Sequence, residues 1–442
     1  MVERWTAAQA EAAAPDQQVL TAGRKLARPQ PWADVGVNGS LLWGACQGSG
    51  KTPYQVSIDL TGPRYKCSCP SRKFPCKHSV ALLMMWAEGH VSEAGVAEFA
   101  VEWAAKATPR QGAPAKELTD QQREQRAADA AKRLAEREAR VSDGMAELDR
   151  FLTDLVAHGL ATANDQHRER FSHMASRMVD QQAPGVAGWL RELATIPGED
   201  TTTPERLSHE LGMLRLLIRA WQRRDRLGED MGETVRSHIG FSWRSEDVLA
   251  LPGLTDDWAV IGMSDTESEQ VSTRRVWLWG RTTGRPALVL FFGAGGMAAQ
   301  SNLYPGTCVE ATVHFHPGSP ALRAVVGQRG PDRPLGQWLP AQPATTEQAR
   351  ANWRAALTQD PWLDRWPQII AGRLTGTQDG GLALADATGV IRVGGSVAGA
   401  LTLLHASGGR PACFAGEIGP EGFLPTMLLG PDALTASIGD RR

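Results

Sequence analysis

Along YQVSIDL, Tyr54, Val56, Ile58 and Leu60 fall on one face and Gln55, Ser57 and Asp59 on the other. That period of two predicts a half-buried strand. LLWGAC, Leu41 to Cys46, predicts the strand before it, ended by the turn signal Gly48-Ser49-Gly50. Thr61-Gly62-Pro63-Arg64 then turns the chain into a second arm, Tyr65 to Cys69. Val80 to Trp86 is apolar throughout, which predicts a mostly buried helix stopped at Glu88-Gly89. Residues 35–106 therefore read as a small antiparallel sheet followed by a helix, and the Ala-, Gln- and Pro-rich residues 1–34 as a lead-in with a short helix.

The period changes twice further on. ATPRQGAPAKE, Ala107 to Glu117, reads as a linker. Thr119 with Gln122 resembles a capping box that opens a long charged helix. Its apolar face begins only at Val141 and continues through Met145, Leu148, Leu152 and Leu155, at helical spacing. FSHMASRMV and PERLSHELGMLRLLIRAWQRR keep that period, so residues 118–236 predict an all-α domain. WAVIGM, RRVWLWGRT, ALVLFFGAGG and CVEATVHFH predict a β-rich domain over 237–340. Gly327 to Thr346 reads as a Pro/Gln-rich linker. Over 347–442 the runs IIAGRLTG, LALAD, VIRVGG, SVAGALTLLHASGG, PACFAGEIG and GFLPTMLL predict three strands, a helix and two strands, the order of an OB-fold. The fold class is α+β and multidomain.

Composition narrows the function classes. The chain has 442 residues, 42% hydrophobic and 22% charged, enough for several packed cores. A net charge of −2 carries no global polyanion-binding character, so any nucleic-acid affinity must be local. The first residues lack a signal-peptide pattern and no stretch is apolar for about 18 residues, so the expected compartment is the cytoplasm. Fifteen tryptophans stand against three tyrosines, scattered along the chain.

The densest chemistry lies in YKCSCPSRKFPCKHSV, which places Cys67, Cys69, Cys76 and His78 in the pattern C-x-C-x6-C-x-H. Three thiolates and an imidazole complete a tetrahedral zinc site with no position left for water, hence a structural one. Pro70, Ser71 and Pro75 suit the chain reversal the ligands need, and Pro75 suits a helix entry. A disulfide would need an oxidising compartment, and a redox dithiol would be C-x-x-C beside a βαβ unit. GSGKT, Gly48 to Thr52, is not a phosphate loop, because Ala45 stands where the motif needs glycine and a strand follows instead of a helix. His314 and His316 lie two apart on a strand without a third ligand nearby in sequence. No paired carboxylates or nucleophile elbow appear, so the chain reads as non-enzymatic.

The spacing of these ligands, the CSCPSRKFPCKH core and the upstream WGACQGSGKTPYQVSIDL resemble a SWIM zinc finger of the bacterial branch over roughly residues 35–105. The resemblance implies zinc bound by Cys67, Cys69, Cys76 and His78, and a role in binding protein or DNA. It also implies partners such as a MoxR-type AAA+ ATPase or a von Willebrand factor A-type protein, and an adaptor role in a complex. The alternative is a DNA-binding protein with weak sequence preference. It would use Arg64, Lys66, Arg72, Lys73 and Lys77, a basic cluster with no acid among residues 64–77.

Overall fold

The computed structural model describes the chain from Arg4 to Thr435 except residues 6, 16, 49, 51, 61–63, 72, 74, 108–119, 158–164, 197–202, 268–270, 295–298, 379, 396 and 431–433. The linker from residue 108 to Glu117, the expected cap at Thr119, Lys51 and Arg72 lie outside the described residues.

Two helices come first, α1 (Ala7–Ala12) and α2 (Gln17–Leu26). They precede an antiparallel meander of β1 (Trp32–Asn38), β2 (Leu41–Cys46), β3 (Tyr54–Asp59) and β4 (Arg64–Cys67). Strands β2 and β3, on either side of the GSGKT segment, pair antiparallel from Cys46↔Tyr54 to Leu41↔Asp59. Strand β1 had no clear sequence pattern: its ladder to β2 slips between Ala33 and Gly36, and Asp34 takes a positive φ of 48°. Helix α3 (Lys77–Ala87) is buried from His78 to Trp86, and Gly89 ends it at φ +85°. Ala10, Ala13 and Val19 share one apolar cluster with Val56, Ile58 and Leu82, so the N-terminal helices complete the core of this module. Helix α4 (Glu98–Ala107) follows.

The helical domain comprises α5 (Asp120–Ala157), α6 (Asp165–Asp180), α7 (Pro184–Ala194), α8 (Thr203–Gln222) and α9 (Glu229–Ile239). Val141, Met145, Leu148, Leu152 and Leu155 are all buried against Phe171, Leu190 and Leu214. Ahead of them, from Ala128 to Glu136, α5 is exposed on every side. Gly240, at φ +111°, closes α9, and the short α10 (Ser245–Leu249) leads into the sheets.

Strands β5 (Gly253–Glu267), β6 (Val271–Gly280), β7 (Pro286–Ala294), β8 (Thr307–Phe315) and β9 (Arg323–Pro334) form a closed barrel in the order β5-β6-β7-β9-β8. Its third and fifth strands meet in parallel at Leu288↔Arg323 and Val289↔Ala324. That is the OB order, in a domain where the sequence suggested only strands. The expected linker from Gly327 is corrected here: residues 327–334 continue β9. The ladder to β8 is irregular between Val309 and Val313, and such bulges tolerate the Gly and Pro residues of β9.

The last domain carries α11 (Thr346–Gln359), β10 (Trp366–Gly376), β11 (Leu382–Asp386), β12 (Gly389–Arg392), α12 (Val397–Ser407), β13 (Ala412–Gly419), β14 (Gly422–Leu429) and β15 (Leu434–Thr435). The sheet order β12-β11-β10-β13-β14-β15 is the same OB order laid open, joined across its gap by a parallel bridge from Val393 to Phe423. The chain thus holds two consecutive OB-ordered units. They share an apolar cluster in which Ile261, Trp277 and Leu288 of the barrel meet Ile369, Ala415 and Met427.

Candidate metal centre

The four ligands converge because two lie at and just beyond the end of a strand and two at the start of a helix. Strand β4 alternates exposed and buried positions, which turns Tyr65 and Cys67 inward and Arg64 and Lys66 outward. Cys69 follows beyond its end. Cys76 is the N-cap of α3 and His78 lies in its first turn. All four are buried, and their donor atoms lie within 4.8 Å of one another. Cys67 Sγ is 3.8 Å and Cys76 Sγ 3.9 Å from His78 Nδ1. Ligand atoms around a tetrahedral zinc stand about 3.5–3.8 Å apart, given Zn–S near 2.3 Å and Zn–N near 2.0–2.1 Å. The donor set therefore fits zinc in chemistry, number and spacing.

Shared hydrogen bonds shift the acid–base balance of the cluster. Hydrogen bonding with Cys69, then with Cys76, pushes the Cys67 thiol well up, and burial adds to it. Cys76 is driven the other way by hydrogen bonds from Cys67 and Cys69. Burial lowers His78, but its hydrogen bonds to Cys69 and Cys76 outweigh that and hold it up at about 9. Thiol and imidazole ligands bind a metal deprotonated, so a bound cation would take the place of protons in this cluster. Ser79 Oγ lies 3.5 Å from Cys76 Sγ, and the Tyr54 ring is 4.9 Å from that of His78. A fifth thiol, Cys46 at the end of β2, is fully buried in the same core, and burial pushes it up to about 11. Sequence spacing gave no reason to notice it.

The basic residues are spread over several elements. Arg64 is exposed but pairs with Asp59 across the β3–β4 ladder at 2.8 Å and lies over the Trp103 ring at 5.8 Å. The acid-free stretch of sequence thus acquires an acid from the neighbouring strand. Lys66 points outward on β4, and Lys77 is the exposed first residue of α3. Lys73 is exposed and donates to Gln18 of α2 at 3.0 Å. His314 Nδ1 lies 2.8 Å from the Leu251 carbonyl, while burial, then Arg323, lowers His316 to about 4. Among the described residues only the finger set gathers three or more metal-capable side chains, and no helix there is long and apolar enough to cross a membrane.

Comparison with protein families finds two matches. Residues 54–87 match the SWIM zinc finger, and residues 136–239 match the SWIM-associated four-helix bundle domain. The second match opens where α5 begins to bury its apolar face and closes at the end of α9. Comparison with curated proteins and with solved structures returned no significant match. The chain thus carries a zinc-competent SWIM finger and, after it, the four-helix bundle associated with such fingers.

Proposed function

We propose that the chain is a non-catalytic adaptor, with the zinc finger as a structural element of a larger body that binds a protein partner. The observation that carries this reading is the covering of the barrel. OB units take oligonucleotides on the face of their second and third strands. Here Trp277 and Leu288, on the outward face of β6 and β7, are 1% and 7% exposed, because the C-terminal unit packs over them, and of the described outward aromatics only Phe292 near the end of β7 stays open, at 58%. A stacking platform for bases needs open aromatic faces, and Trp277 offers none. The resemblance to SWIM proteins makes a MoxR-type AAA+ ATPase or a von Willebrand factor A-type protein the first partner to test.

A second reading keeps nucleic acid on the finger, favoured by the exposure of Lys66, Lys73 and Lys77. Direct binding separates the two. The adaptor reading expects a protein complex that survives nuclease, and no salt-sensitive binding to duplex DNA. With at most five phosphate contacts, finger-borne binding would show a log–log salt slope no steeper than about −4 to −5. Changing Lys66, Lys73 and Lys77 to Glu would then abolish it with zinc retained. Salt-sensitive DNA binding lost in that triple variant, with neither candidate partner bound, would overturn the adaptor reading.

A further inference from the structure

The finger is seated on the barrel through residues that the zinc ligands hold in place. Tyr65 Oη and Tyr304 Oη lie 2.6 Å apart and are buried between the two modules. Trp5 lies edge-on to Tyr304 at 5.7 Å and to Trp86 at 6.4 Å. Tyr304 is therefore reached from β4, through Tyr65, and from α3, through Trp86 and Trp5. Those are the two elements that supply the ligands: β4 carries Cys67 and runs on to Cys69, and α3 carries His78 behind its cap Cys76.

Strand β4 is the four-residue edge strand of its sheet and, among the described strands, pairs with β3 alone. Tyr65 is two residues from Cys67 on the same inward face, roughly 7 Å along the strand. Beneath the tyrosine pair, the buried Arg274 guanidinium is held by Asp265 through two hydrogen bonds of 2.8 Å, so the barrel's side of the joint is braced independently of the finger.

We infer that zinc occupancy gates the seating of the finger on the barrel: metal in the cluster ties β4 to α3 and thereby positions Tyr65 and Trp86 for Tyr304, and metal loss unseats them while the barrel stays folded. This does not depend on the adaptor reading. It makes the aromatic surface around Trp5 and Tyr304 available only in the metal-free protein.

Amide hydrogen exchange on the purified zinc-loaded full chain, before and after chelation, tests it. Chelation should remove protection from residues 64–67 and, in the same step, raise exchange at residues 303–307 of the barrel. There the Gly306 amide donates to Val260 and the Thr307 amide to Tyr304. Protection at residues 276–278, in the barrel wall, should remain. Unchanged exchange at 303–307, or loss of protection throughout the barrel, would overturn the inference. Tyr65→Phe removes the hydroxyl pair without touching a ligand. It should keep one zinc per chain and raise exchange at 303–307 by up to about tenfold, the worth of one hydrogen bond. No change there would show that the tyrosine pair does not carry the coupling.

Discussion

Replacing His78 with alanine, beside a matched Cys46→Ala control, separates the ligand set from the thiol that merely shares its core. Structural zinc in finger peptides contributes ~10–16 kcal/mol, so an even share for one of four ligands is about 2.5–4 kcal/mol. Loss of one ligand should then weaken zinc binding by roughly 10²–10³-fold. Cys46 is fully buried within electrostatic reach of Cys69 and Cys76, yet its Sγ lies 3.9 Å from the Gln47 carbonyl and is not among the converging donors. Cys46→Ala should cost about 1 kcal/mol of packing, as a small core truncation does, and leave zinc affinity unchanged. Competition with a chromophoric chelator reads the affinity, and elemental analysis the stoichiometry. Full affinity in His78→Ala, or equal loss in both variants, would refute the assignment.

Two further outcomes test the C-terminal unit. Burial raises Asp386, but donations from the Thr346 amide, the Thr388 hydroxyl and the Thr346 hydroxyl outweigh it and hold the carboxyl below its usual range. Its contribution is therefore present above the unfolded carboxylate pKa and lost as pH falls below it. Asp386→Ala should cost about 1–2 kcal/mol at neutral pH and flatten the acid limb of the melting profile; an unaltered acid limb would contradict this. Glu417, 2% exposed, accepts from Trp277 and from Arg365, the latter at 3.1 Å. Glu417→Ala takes the buried carboxylate away from the Arg365 guanidinium and the Trp277 N–H and should lower the thermal stability of the joined units by about 3–5 kcal/mol, most of it regained when Arg365 and Glu417 are both made Met. A loss under about 1 kcal/mol would show the pair to be water-screened.

The zinc set was legible because it is local: four donors within twelve residues, with a turn and a helix start between them, leave few arrangements. The bundle was legible for a similar reason, since Val141 to Leu155 repeats a helical face over several turns. The strand order of residues 347–442 could be read because each run is short and separated by Gly or Pro. The upstream barrel could not. Its β5 is one continuous strand of 15 residues, β9 carries Gly327, Gly330 and Pro331, and closure depends on the parallel pairing of β7 with β9, which no local pattern encodes. Tyr304 escaped notice likewise: its partner Tyr65 lies 239 residues away.

Tryptophan is abundant in the sequence, and while Trp221 and Trp258 fill the cores of single modules, others stand at the joints between modules. Trp5 sits between the finger and Tyr304 of the barrel. Trp277 donates to Glu417 across the two OB-ordered units. Trp362 packs on the helical domain and donates to the Met213 carbonyl at 3.1 Å, beside His238 and Asp360 at 3.0 Å. The barrel in turn meets the helical domain where Thr234 donates to the Ser319 carbonyl at 3.0 Å and accepts from its amide at 2.9 Å. An indole brings a large apolar area together with one N–H that must find an acceptor when buried. A joint built this way resists sliding, because a shifted register would leave that N–H or its acceptor unpaired at a cost of about 1–3 kcal/mol. Apolar contact alone would hold the modules together, but the polar groups at each joint select one relative placement. Residues from distant parts of the chain are thereby presented in a fixed pattern, which is the physical requirement an adaptor surface has to meet.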